Sequence, residues 1–136
     1  MVGAGSGTVL AGADPNDGSG DHDTALHAYG TRDGRSSWQL RAPAGQEYGF
    51  PKIADGRVYV VRQPFLTEGD TGRRIHADLL VLDADTGRLL HTLRLPSMTA
   101  PDDYDYFVKL DIVDVADGAV SIGWRDGEGD LLIATD

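Results

Sequence analysis

Two acidic stretches hold the residue types from which a binding site is most readily built. Residues 14–23, Asp14-Pro15-Asn16-Asp17-Gly18-Ser19-Gly20-Asp21-His22-Asp23, set carboxylate and amide oxygens at short spacing on a turn-forming backbone, the ligand chemistry that a hard cation such as Ca2+ favours. Asp14, Asn16, Asp17 and Asp21 are the candidate Ca2+ ligands. Against the EF-hand pattern, Gly18 and Ser19 stand where an acid or Asn and then Gly are required, and no Glu closes the loop. A solvated turn is the competing reading, and the register favours it. Residues 100–107 alternate Asp102, Asp103 and Asp105 with Tyr104, Tyr106 and Phe107. Carboxylates beside aromatic rings suit a cationic or sugar-like ligand through charge, stacking and hydroxyl hydrogen bonds, so Asp102, Asp103, Tyr104, Asp105 and Tyr106 are the candidate ligand-binding residues. The alternative is that Tyr106 or Phe107 anchors the next strand while the aspartates keep the loop solvated.

Arrangements that would do covalent chemistry fail on context. The chain has no cysteine, which excludes thiol nucleophiles, thiolate metal sites and disulfides. Gly3-Ala4-Gly5-Ser6-Gly7 has phosphate-loop spacing, but no strand precedes it and no helical pattern follows. Neither Gly5-Ser6-Gly7 nor Gly18-Ser19-Gly20 fits a nucleophile elbow. His22, His27, His76 and His91 make no His-x-x-x-His pair and read as surface or cross-strand residues. No catalytic residue is assigned, and no cofactor beyond the candidate Ca2+. The net charge of -10, with Lys52 and Lys109 the only lysines, argues against nucleic acid as a partner. No signal-peptide pattern opens the chain and no apolar run approaches the ~20 residues that span a bilayer, so no membrane contact is expected within it.

The elements that must position these loops are strands. At 136 residues the chain is sized for one domain. Helical periodicity is absent, and short β-rich runs bounded by Gly and Asp recur near residues 8–12, 24–29, 36–41, 51–54, 57–62, 78–83, 88–94, 107–115, 119–124 and 130–134. The clearest unit is the hairpin in which Leu79-Leu80-Val81-Leu82 and Leu89-Leu90-His91-Thr92-Leu93-Arg94-Leu95 flank Asp83-Ala84-Asp85-Thr86-Gly87. Superposing Gly34 on Gly87 aligns Ala25–Tyr29 with Asp78–Leu82 and Trp38 with His91. Ile53-Ala54-Asp55-Gly56-Arg57-Val58 recurs as Val115-Ala116-Asp117-Gly118-Ala119-Val120, and Asp130-Leu131-Leu132-Ile133-Ala134 repeats Asp78-Leu79-Leu80-Val81-Leu82. The chain therefore divides into units of about residues 1–45, 46–100 and 101–136.

Asp55-Gly56-Arg57-Val58-Tyr59-Val60, followed by Leu80-Val81-Leu82-Asp83-Ala84-Asp85-Thr86-Gly87-Arg88-Leu89-Leu90, resembles the quinoprotein-like (PQQ-like) β-propeller repeat. The family's tryptophan four positions after the turn glycine is matched by Trp38 and replaced by His91. The resemblance implies an all-β fold of four-stranded antiparallel blades and a bacterial, extracytoplasmic setting. It does not extend to redox activity, because the cofactor-holding residues of the quinoprotein enzymes have no match here. By that template the units hold three, four and three strands, an incomplete ring. A missing first strand and a missing last strand are complementary, which permits a homodimer that completes the ring. Tight turns gather at one end of such sheets and the long loops, residues 13–23, 63–76 and 96–106, at the other. The expected function is a non-enzymatic binding or scaffolding module that presents those loops to a protein, peptide or small ligand. The rival expectations are a fragment of a larger propeller enzyme and an extracytoplasmic sensor domain of a membrane signalling protein.

Overall fold

The computed structural model describes residues 3–5, 8–11, 25–30, 34–66, 72–100, 109–116, 118–124 and 130–134. Strands are the only regular elements among them, and the sheets are antiparallel throughout. A first sheet runs in order through β1 (Gly3–Gly5), β2 (Thr8–Ala11), β3 (Ala25–Gly30) and β4 (Ser36–Arg41). In the central sheet, β5 (Gln46–Tyr48) and β6 (Lys52–Ala54) both pair with β7 (Arg57–Pro64). After β8 (Arg74–Ile75), the central sheet continues from β7 to β9 (Asp78–Asp83) and β10 (Leu89–Arg94). β11 (Met98–Thr99) pairs with β8, so the β9–β10 hairpin extends beyond the sheet as a two-stranded ribbon. A third sheet comprises β12 (Leu110–Ala116), β13 (Ala119–Trp124) and β14 (Asp130–Ala134).

The unbroken apolar runs of β7 and β9 explain why the central sheet lies in the middle. Successive strand residues point to opposite faces, so Val58-Tyr59-Val60-Val61 and Leu79-Leu80-Val81-Leu82 need apolar cover on both. Val58, Val60, Leu80 and Leu82 pack with Leu26 and Ala28 of the first sheet and with Tyr48. Tyr59, Val61, Leu79 and Val81 pack with Leu110, Ile112, Val120 and Ile122 of the third. Leu79 to Leu82 are 0–2% exposed, and burial of each such side chain is worth about 1.5–3 kcal/mol.

Two devices tie the sheets together. In the β9–β10 turn, Asp83 Oδ1 accepts from the amides of Asp85 (2.9 Å) and Thr86 (3.1 Å), and the Gly87 amide donates to the Asp83 carbonyl at 2.8 Å. Trp38 of the first sheet donates from Nε1 to the Ala84 carbonyl of that turn at 2.9 Å. Its ring covers Gly87 so closely that a Cβ there would stand 2.6 Å from Trp38 Cδ2. His91, four residues after Gly87, is exposed. The second device is a bulge. Tyr48 opposes Arg62 and Lys52 opposes Tyr59, which leaves one extra residue between β5 and β6. There the Phe50 amide donates to Asp111 Oδ1 (2.7 Å) and the Ile112 amide to the Phe50 carbonyl (3.1 Å), both across to β12. β12 carries its own register shift between Ile112 and Asp114.

Strand pairing recurs from sheet to sheet. Ala4 faces Val9, Ile53 faces Val58 and Val115 faces Val120, each one pair in from a short hairpin turn. In the central sheet that turn holds Asp55 at φ 52° and Gly56 at φ 73°, the two positive values that a two-residue hairpin of matching twist requires. β6 lies against β1 and also against β12, so the three opening strands are neighbours.

Three readings of the strands are corrected. The first sheet has four strands, not three: Gly3–Gly5 is a strand paired with β2, held by main-chain hydrogen bonds that its small residues do not advertise. The dimer argued from a missing first strand loses that premise. The strand expected near residues 51–54 is β6 (Lys52–Ala54), and the central sheet has a further strand that was not expected, β5 (Gln46–Tyr48), which the bulge sets in line with β6. Finally, Leu131 faces Ile122 and Ile133 faces Val120, as Leu80 faces Val60 and Leu82 faces Val58. Since Val120 and Ile122 match Val58 and Val60, β14 is shifted by one residue from the superposition of Asp130 on Asp78, and a one-residue shift exchanges the two faces of a strand.

Candidate functional site

The long-loop end of the central sheet carries two rows of polar side chains, one on each face. On the face toward the first sheet, register sets Tyr48 beside Arg62, Arg62 beside Asp78 and Asp78 beside Arg94, a row across β5, β7, β9 and β10. Arg62 Nη2 donates to Asp78 Oδ2 at 3.2 Å, and Arg94 Nε donates to Asp78 Oδ1 at 3.2 Å. One carboxylate thus serves two guanidiniums. The Asp78 side chain is 14% exposed, Arg62 25% and Arg94 64%. Burial pushes the Tyr48 hydroxyl up to about 12 despite the opposing pull of Arg62, so it remains protonated, and able to donate, at neutral pH.

On the face toward the third sheet, Glu47 and Gln63 sit side by side and meet Lys109 and Asp111 of the opening strand segment there. Lys109 Nζ lies 3.9 Å from Glu47 Oε2, with both side chains about 96–97% buried. Gln63 Oε1 accepts the Leu110 amide at 2.6 Å, and Asp111 takes the Phe50 amide at the bulge. A charge is admitted to such an interior only with a partner, since unpaired it would cost several kcal/mol. These four residues therefore clamp β5 and β7 to β12. The roots of the second and third long loops emerge directly beyond, through Phe65 and Leu66 after β7 and through the β8–β11 ribbon. There Arg74 Nη2 donates to Ser97 Oγ at 2.5 Å.

The residues singled out from the sequence, Asp102, Asp103, Tyr104, Asp105 and Tyr106 and the Ca2+ set Asp14, Asn16, Asp17 and Asp21, lie outside the described residues. Among the described residues no three His, Asp or Glu side chains gather as a metal would need. His27 is 9% exposed, paired across strands with Ala11 and Gln39 and stacked on Tyr29 at 6.2 Å, so it is cross-strand but not a surface residue. The polar rows went unread in the sequence. Two signals were present: Arg62 and Gln63 end an apolar run, and Lys109, one of two lysines, opens another.

No helix among the described residues is long and apolar enough to cross a membrane. No family model matches the chain, and comparison with curated proteins and with solved structures found no match.

Proposed function

We propose that this chain is a run of propeller-type blades serving as a non-catalytic binding or scaffolding module, whose long-loop end receives a protein, peptide or small ligand. One observation carries the reading. The buried polar groups at that end are engaged in joining sheets: Glu47 with Lys109, Gln63 with the Leu110 amide, and Asp111 with the Phe50 amide. Groups held in this way build a rigid platform beneath loops free to vary, the usual division of labour in binding modules. The neighbouring opening strands and the central sheet covered on both faces support the blade arrangement, in which each sheet stacks on the next around an axis.

The test is an NMR screen of the labelled chain against a library of small molecules and short peptides. Binding should perturb amides at the loop end, such as Gln63, Phe65, His76 and Ala100. The opposite end, at Asp55, Gly56, Thr86 and Gly118, should stay unchanged. Perturbations confined to the turn end would overturn the proposal, as would a screen that moves no loop-end amide.

A further inference from the structure

We propose that the row at Arg62 and Arg94 seats a small oxyanion, a carboxylate or a phosphate, at the loop end of the central sheet. The inference uses only the register within that sheet, so it stands apart from the propeller reading. Among the described residues, two guanidiniums converge on one carboxylate, that of Asp78, a local excess of one positive charge within a chain whose net charge is -10. Among the described residues Arg62 Nε is buried with no hydrogen-bond partner. Among the described residues Arg62 donates only through Nη2 and Arg94 only through Nε, so further N–H groups on both side chains remain to be used.

The arrangement is fixed by the strands. Arg62 and Arg94 lie opposite Asp78 on its two neighbours, β7 and β10. Asp78 therefore holds the two guanidiniums at a set separation, one partly sheltered and one facing solvent. Guanidinium donors in fixed geometry recognise planar or tetrahedral oxyanions by paired, charge-assisted hydrogen bonds. Tyr48, adjacent to Arg62 in the row, contributes a hydroxyl on the same face. Arg94, 64% exposed, is where an anion arriving from solvent is met first.

The test is titration of the isotope-labelled chain with inorganic phosphate and, separately, with acetate, each against chloride at equal ionic strength. Nε–Hε resonances of Arg62 and Arg94 are observed together with the backbone amides. Saturable shifts of both Nε–Hε signals are expected with at least one anion; the one that acts identifies the site as phosphate- or carboxylate-selective, and both acting marks a general oxyanion seat. Arg94→Gln, at an exposed position, should weaken that binding about tenfold, the worth of one charge-assisted hydrogen bond. Arg88→Gln removes the same charge at the opposite end of the sheet and should leave the binding unchanged. The proposal is overturned if neither anion moves the two signals more than chloride does. It fails equally if Arg94→Gln binds as the parent does, or if Arg88→Gln weakens binding as much as Arg94→Gln.

Discussion

Replacing Gly49 by alanine isolates the bulge that joins the central and third sheets. A Cβ at this position would overlap the Leu110 carbonyl oxygen and stand 2.8 Å from its carbon and 2.9 Å from Asp111 Oδ1. Two of those atoms are backbone, so no side chain can swing aside, and β12 must move away from β5. Two hydrogen bonds then lengthen beyond use: Phe50 amide to Asp111 Oδ1, now 2.7 Å, and Ile112 amide to Phe50 carbonyl, now 3.1 Å. The first is charge-assisted, worth about 1.5–3 kcal/mol, and the second neutral, worth about 0.5–1.5 kcal/mol. Gly49→Ala should therefore cost about 2–4.5 kcal/mol, a large share of the roughly 5–15 kcal/mol that holds an ordinary domain folded. The assay is equilibrium urea unfolding followed by far-ultraviolet circular dichroism. Gly45→Ala is the control: Gly45 has a φ of 81° with nothing within 4 Å of an added Cβ, so its cost is conformational alone, about 1–2 kcal/mol. Asp111→Ala removes the acceptor without any steric push and should cost about 1.5–3 kcal/mol. If Gly49→Ala is no worse than Gly45→Ala, and Asp111→Ala is near neutral, the bulge does not join the sheets and the contact reasoning is refuted.

Trp38→Phe keeps most of the ring but loses the bond to the Ala84 carbonyl, and should cost about 1 kcal/mol in the same unfolding assay. Trp38→Ala, which also uncovers Gly87, should cost clearly more. Lys109→Met takes from the buried Glu47 carboxylate its cationic neighbour and should destabilise by about 3–5 kcal/mol, whereas the double variant Glu47→Leu with Lys109→Met should recover much of that loss; equal losses in single and double variants would contradict the pairing. The Tyr48 hydroxyl is raised in the folded state to about 12, so its contribution is complete below the unfolded value near 10 and is lost as pH rises toward 12. Absorbance titration of Tyr48→Phe against the parent should identify the late-ionising phenol. Amide hydrogen bonds from Thr86 and Asp85 hold the Asp83 carboxyl below its ordinary range. Its contribution is therefore present above the unfolded value near 4 and lost as pH falls through the lower folded value. Asp83→Asn should flatten that part of the acid-unfolding profile, and an unchanged profile would show the turn bonds to be without consequence.

What could be read from the sequence follows from how each contact is encoded. Leu79 to Leu82 announced a central strand because a four-residue apolar run next to an Asp-Gly-closed turn has few other uses, and their burial of 0–2% follows from it. β1 escaped because Gly3-Ala4-Gly5 pairs through its backbone and carries no pattern. β5 escaped because Gln46 and Glu47 look like loop residues; Glu47 is buried beside Lys109, and that partner comes from the segment that leads into another sheet. The slip at β14 has a related cause: Leu131-Leu132-Ile133 is apolar at every position, so alternation cannot choose between its faces, and pairing to Val120 and Ile122 makes the choice. The Arg62–Asp78–Arg94 row belongs to an intermediate class. Regular pairing out from the Gly87 turn would set Asp78 opposite Leu93; a register shift between Leu89 and His91 sets it opposite Arg94 instead, and β7 brings Arg62 to its other side, so the row follows from register within one sheet, bulge included. The Glu47–Lys109 seam depends instead on the bulge that leads β5 onto β12, a feature set by one glycine whose missing side chain is its whole message. Local pairing is thus written in residue pattern, whereas sheet-to-sheet contact is written in what two distant segments leave room for.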